Sequence, residues 1–140
     1  MLLRFSSRLL IAFILACGMA NAAFINGGFE NGDTTGWSVL GDAVASTGEN
    51  YGVGTVSPDT GNFAANLVAS GVEASAIAQQ MSIDVSALSA SNGDIDVGDG
   101  SLIWQSIFAT AGEVLQFRWN FVDNDYLPFD DWAFYGVQFE

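Results

Sequence analysis

The run Val114 to Val122 alternates without a break, setting Leu115, Phe117, Trp119 and Phe121 on one side of an extended chain and Gln116, Arg118 and Asn120 on the other. A period of two residues is that of a half-buried β-strand, and it predicts Phe117, Trp119 and Phe121 as core. Leu102 to Ala109, just before it, is apolar on both faces, and Ala109 to Glu113 holds Gly112, a residue free to take a positive φ. The two runs read as a β-hairpin with a longer turn. A loop from Asp123 to Asp131 leads to a third run, Trp132 to Phe139. Strands this rich in aromatics are not stable alone and call for a second sheet to cover them. The expected fold is therefore all-β.

The first residues stand apart from that fold. Arg4 and Arg8 precede an apolar run from Leu9 to about Met19, and Ala20-Asn21-Ala22 fits the small-x-small rule for signal peptidase. This predicts a secretory signal over 1–22, cleavage after Ala22, and a single mature domain over 23–140. A membrane anchor would need about 20 apolar residues, more than the run supplies. Ile14-Leu15-Ala16-Cys17 gives a rival reading, a lipoprotein box with Cys17 lipidated, although Leu15 fits that pattern poorly. At the other end, Gln138-Phe139-Glu140 falls inside a strand-like run, which reads as a truncated end.

Loss of the leader changes the chemistry available. Arg118 is then the one cation against sixteen carboxylates, a net charge of −15, and no lysine, histidine or cysteine is left. That excludes the usual zinc site, a serine-histidine-aspartate triad and a cysteine nucleophile. A single arginine cannot neutralise a phosphate backbone, so nucleic acid and anionic membrane surfaces are excluded as partners. Without disulfides, a small secreted domain must rely on its core or on a bound metal.

Along the mature chain, Phe24 and Ile25 form a short apolar entry, the glycines and Asn31 mark turns, and Trp37 opens a strand. Asp42 to Ala45 and Tyr51 to Val56 read as two short strands joined by loops. From Ala74 to Leu88 the apolar residues Ala74, Ile77, Ala78, Met81, Val85 and Leu88 fall at helical spacing, which predicts a short helical insertion. Asn92 to Gly100 is a loop by composition.

Several of these segments together resemble a known family. Asn26-Gly-Gly-Phe-Glu30 followed by Gly36-Trp37, then Gly61-Asn-Phe-Ala-Ala-Asn-Leu67, then Ile103-Trp-Gln105 with Ala111-Gly112-Glu113 and Phe117, and finally Asp130-Asp131-Trp-Ala-Phe134, occur in the order found in secreted bacterial β-sandwich modules. The texture is similar to the N-terminal region of PEP-CTERM proteins, which the exosortase system sorts, and to galactose-binding-like carbohydrate-binding modules. The resemblance spans 24–138 and implies a jelly-roll β-sandwich. The Pro-Glu-Pro motif, hydrophobic helix and basic tail of such proteins do not occur within these 140 residues, so the sorting route is implied by the resemblance alone.

Three acidic groupings are candidates for a cation. Asp94, Asp96 and Asp99 form a D-x-D-x-x-D-G run suited to calcium, which wants several carboxylate oxygens from a glycine-flexed loop. It departs from the EF-hand pattern at Gly98, and a solvated acidic loop is the plainer reading. Asp123, Asp125, Asp130 and Asp131 form a second cluster, for which a salt bridge to Arg118 or turn capping is the plainer reading. The resemblance supplies a third: in such modules the glutamate of the "FE" motif and an aspartate at the last strand share a structural calcium, here Glu30 and Asp131. Sugar binding would need exposed ring faces. Trp37, Tyr51, Tyr126, Phe129 and Trp132 qualify by position, with Tyr126 and Phe129 beside Pro128 in a loop. Catalysis would be left to a carboxylate pair, yet a solvated loop aspartate has no cause to acquire the raised pKa of a general acid. The sequence thus predicts a secreted, non-catalytic β-sandwich acting at the cell surface or in the extracellular matrix, binding polysaccharide, with calcium as the one cofactor to consider. The alternatives are a purely structural surface protein without a small ligand and an accessory piece of a glycoside hydrolase.

Overall fold

The computed structural model describes residues 23–52, 54–87, 98–122 and 133–138. Over these residues the chain is β-rich, with short strands in small antiparallel ladders beside one short helix. The strands are β1 (Ser38–Leu40), β2 (Ala43–Ser46), β3 (Glu49–Asn50), β4 (Thr55–Val56), β5 (Ala64–Leu67), β6 (Val72–Glu73), β7 (Asp99–Gly100) and β8 (Leu102–Trp104); α1 is Ala74–Gln80. The strand expected after Trp37 is β1 and that over Asp42 to Ala45 is β2, but of the described residues in Tyr51 to Val56 only Thr55–Val56 are strand. The helix expected over Ala74 to Leu88 ends at Gln80 with residues 85–87 helical again, and Asp99–Gly100, expected as loop, is strand.

Six of the strands are halves of three longer stretches that exchange partners around one point. The first stretch is β1 and β2, broken at Gly41; the second is β5 and β6, broken near Ser70 and Gly71; the third is β7 and β8, broken at Ser101. β1 pairs with β8 (Ser38 opposite Trp104), β2 with β5 (Ala43 opposite Leu67) and β6 with β7 (Val72 opposite Gly100), all antiparallel. Each stretch therefore pairs with one neighbour before its break and with the other after it. The backbones meet where the breaks coincide. A Cβ on Gly41, whose φ is +72°, would lie 2.6 Å from the Gly100 carbonyl oxygen and 2.8 Å from that of Ser70. Only a residue without a side chain fits there. Polar contacts close the junction: Val68 N–H donates to the Asp42 carbonyl at 3.0 Å, Ser70 Oγ to Asp42 Oδ2 at 2.7 Å, and Ser101 Oγ to the Val68 carbonyl at 2.7 Å.

Helix α1 sits on this junction. Its alanine-rich sequence favours helix, and Ala74, Ile77 and Ala78, spaced i, i+3 and i+4, are buried. Ile77 packs on Gly100, where a Cβ would come within 2.8 Å of Ile77 Cδ1. The helix stops at Ser82, which takes φ 54°; Ser82 N–H donates to Gln79 and Ile83 N–H to Ala78. That bonding pattern is a Schellman motif, with serine where glycine is usual. Asp84 then caps residues 85–87, its Oδ1 accepting the Ser86 N–H at 2.9 Å.

The structure departs from expectation after β8. Of the run Leu102 to Ala109 only Leu102–Trp104 is strand, and residues 105–122 and 133–138 carry no ladder. Phe117, Trp119 and Phe121, expected as core, are exposed. The buried apolar residues are Phe29, Ala43, Ala74, Ile77 and Ala78, so the core lies with α1, β2 and the N-terminal turns. Alternation specifies a strand only where another strand pairs with it, and among the described residues none pairs with 114–122. No helix among the described residues is long and apolar enough to cross a membrane.

Candidate functional site

Three of the segments that carry the family resemblance, around 26–37, 61–63 and 103–105, meet in one network. Residues 25–37 wind through successive tight turns, with Phe29 N–H donating to Asn26, Gly32 N–H to Phe29 and Trp37 N–H to Thr34. Asn26, at φ 51°, holds the turns from inside: its Nδ2 donates to the Asp33 carbonyl at 2.9 Å and its Oδ1 accepts from Asn31 N–H at 3.2 Å. Asp33 Oδ1 in turn accepts from Thr35 N–H at 2.9 Å, an Asx turn.

One aromatic packs the coil against itself, and two polar side chains fasten it to the rest of the molecule. Trp37 is stacked with Phe24 (centroids 5.5 Å apart) and Phe29 (5.2 Å), and its Nε1–H donates to the Asn26 carbonyl at 3.1 Å. Gln105, one residue past β8, imitates a strand partner. Its Oε1 accepts from Ile25 N–H at 2.7 Å, and its Nε2 donates to the carbonyls of Ile25 at 2.9 Å and Gly36 at 2.6 Å. Glu30 reaches to the approach of β5. Asn62 N–H donates to both carboxylate oxygens at 3.0 Å, Asn62 Nδ2 to Oε2 at 3.3 Å and Phe63 N–H to Oε1 at 3.2 Å. The backbone donors of Asn62 and Phe63 hold the Glu30 carboxyl below its ordinary value of 4.5.

These contacts bear on the calcium expectation. Three donors, the Asn62 N–H shared between both oxygens, Asn62 Nδ2 and the Phe63 N–H, stabilise the Glu30 carboxylate. Asp131, its expected co-ligand, lies outside the described residues, as do Asp94 and Asp96. Asp99 is exposed on β7, opposite Glu73 across the ladder. Among the described residues no three acidic, histidine or cysteine side chains cluster as metal ligands. Among the described residues Glu30 accepts from donors alone, and the calcium expectation, which pairs it with Asp131, reaches outside those residues.

Of the aromatics expected to stack on sugar, Tyr126, Phe129 and Trp132 lie outside the described residues. Trp37 is engaged with Phe24 and Phe29, and Tyr51 Oη donates to Asn66 Oδ1 at 2.9 Å. Arg118 pairs with Asp59, both side chains being largely exposed, while the aspartates after Val122 that were expected as its partners lie outside the described residues. Such a surface pair contributes little to stability. A shallow depression of about 240 Å³ lies between Gly32–Thr34 and Ala43–Ala45, below the range of ordinary ligand pockets. The parts played by Asn26, Asp33 and Gln105 were not foreseen from sequence. Their signal was the recurrence of Asn and Gln inside the motif segments, and a contact spanning 80 positions leaves no local periodicity to read.

Comparison with family models, curated proteins and solved structures returned no match for this chain.

Proposed function

We propose that the mature chain is a secreted, non-catalytic β-sandwich module that serves as a structural unit of a cell surface or extracellular matrix, as the likeness to PEP-CTERM N-terminal regions implies. One observation carries this reading: Asn26, Glu30, Trp37 and Gln105, the polar groups that the shared motifs bring together, bond to the chain's own backbone. Groups of these types orient ligands in binding modules. Here Asn26 and Trp37 hold the N-terminal turns together, and Glu30 and Gln105 tie those turns to the approach of β5 and the end of β8. The negative charge and the leader over 1–22 suit an exported, soluble surface component.

Calorimetric titration of the secreted chain with neutral polysaccharides, in calcium and again with a chelator, tests the proposal. A structural unit gives no saturable heat in either condition. Saturable binding abolished by Tyr126→Ala or Trp132→Ala would replace it with the glycan-binding reading. Turnover abolished by a single carboxylate substitution would replace it with an enzymatic one.

A further inference from the structure

Asparagine–glycine steps occur in the N-terminal coil at Asn26-Gly27 and Asn31-Gly32, and again at Asn92-Gly93, outside the described residues. Such a step can modify itself, because an unhindered glycine N–H can attack the side-chain amide of the asparagine before it. The fold treats the two steps of the coil differently. Asn26 has both ends of its amide engaged: Nδ2 donates to the Asp33 carbonyl at 2.9 Å, and Oδ1 accepts the Asn31 N–H at 3.2 Å. Asn31 is exposed and bonds through that backbone N–H, its side chain having no hydrogen-bond partner among the described residues. Gly32, also exposed, follows at φ +75° and closes the turn by donating its N–H to the Phe29 carbonyl at 2.9 Å.

We propose that Asn31-Gly32 is a site of self-modification in the folded chain, an intramolecular deamidation with water as its co-reactant. Gly32 N loses its proton to hydroxide and bonds to Asn31 Cγ; the Cγ–Nδ2 bond breaks, and Nδ2 leaves, protonated, as ammonia. Water then opens the five-membered imide at either carbonyl, which leaves aspartate or isoaspartate at position 31. Nothing is oxidised or reduced. At Asn31 the reaction asks the fold to open one exposed turn bond, that of the Gly32 N–H, of the kind that opens at low cost. At Asn26 it breaks two, since fixing Cγ against Gly27 N draws Nδ2 and Oδ1 off their partners. The further bond makes Asn26 slower by about fivefold.

Isoaspartate carries the chain through its side-chain carbonyl and so lengthens the backbone by one methylene. The turn has no slack for it. The Asn31 N–H is held by Asn26, and Gly32 lies against the Phe63 ring, where a Cβ would come within 3.2 Å of Cζ. A longer backbone between these two points loosens the turn that presents Glu30 to Asn62 and Phe63.

The test is incubation of the secreted chain at mildly alkaline pH, folded and in urea, with peptide mapping by mass spectrometry and an isoaspartate-specific assay at intervals. In the folded chain Asn31 is expected to convert at least about fivefold faster than Asn26. In urea the two rates converge, because the difference lies in the fold. The rate rises with pH, as attack by a deprotonated amide requires. Asn31→Gln is expected to abolish the reaction at that position, since a six-membered imide closes far more slowly. The separated isoaspartate form is expected to melt below the parent, whereas Asn31→Asp, with an ordinary backbone, melts closer to it. An Asn31 that stays intact in the folded chain overturns the proposal, as does an Asn26 that converts first. An isoaspartate form that melts with the parent overturns the loosening of the turn.

Discussion

Glu30 is placed where a family likeness suggests a calcium ligand, yet its oxygens face the amides of Asn62 and Phe63. Its pKa is depressed in the folded chain, so its contribution to stability is present above the ordinary value of 4.5 and is lost as pH falls through the folded value. Glu30→Gln is accordingly expected to melt lower than the parent at neutral pH, with the gap closing as the pH falls below 4.5 and through the lowered folded value. Melting curves of both proteins across that range check it, and a gap that persists in acid would assign the loss to packing. Calcium should not restore the variant. The sequence marked Glu30 as important but gave no means of telling a donor-lined carboxylate from a metal ligand. That distinction depends on residues 62 and 63, which lie more than thirty positions away.

At the scale of elements, the local signals were legible and the pairing was not. The spacing of Ala74, Ile77 and Ala78 located α1 because helical bonding and burial are both settled within a few residues. β1 and β2 likewise follow from short runs bounded by turn residues, whereas β5 falls in a segment marked only by the family resemblance. The exchange of partners at Gly41, Gly71 and Gly100 was hidden, since a glycine within a strand-like run marks a break without saying which stretch crosses it. The run 114–122 erred in the opposite sense: its periodicity is the strongest in the chain, but it has no ladder among the described residues. The junction makes its own prediction. Gly41→Ala adds a left-handed backbone costing about 1–2 kcal/mol and a clash costing about 1–3 kcal/mol more. Gly52→Ala, at φ +80° with nothing within 4 Å, carries only the backbone cost. Denaturant unfolding of the two variants should separate them by at least about 1 kcal/mol, and equal losses would mean that the three stretches do not meet as described.

The whole molecule is a small core beneath a heavily acidic surface. Glu73 faces Asp99 across the β6–β7 ladder, a like-charge pair that weakens the strands it joins. Screening should therefore stabilise the fold. A gain of about 1 kcal/mol from added salt would raise Tm by roughly 4–8 °C for a domain of this size. Calcium chloride and sodium chloride are expected to act alike at equal ionic strength, since the effect is one of screening. A large excess effect of calcium at low concentration would reveal a specific site. The same acidity, with no histidine, lysine or cysteine after residue 22, is why the sequence argued more sharply against certain chemistries than for the function proposed.

The central claim is that the motif side chains hold the chain to itself, and the side-chain amide of Gln105 reports on it most directly. In a nitrogen-15 correlation spectrum of the secreted chain, its two Nε2 protons should be well separated and slow to exchange, as donors to the carbonyls of Ile25 and Gly36, and unmoved by calcium or polysaccharide. A Gln105 side chain that exchanges freely with water, or whose resonances shift as a ligand is added, would contradict the account.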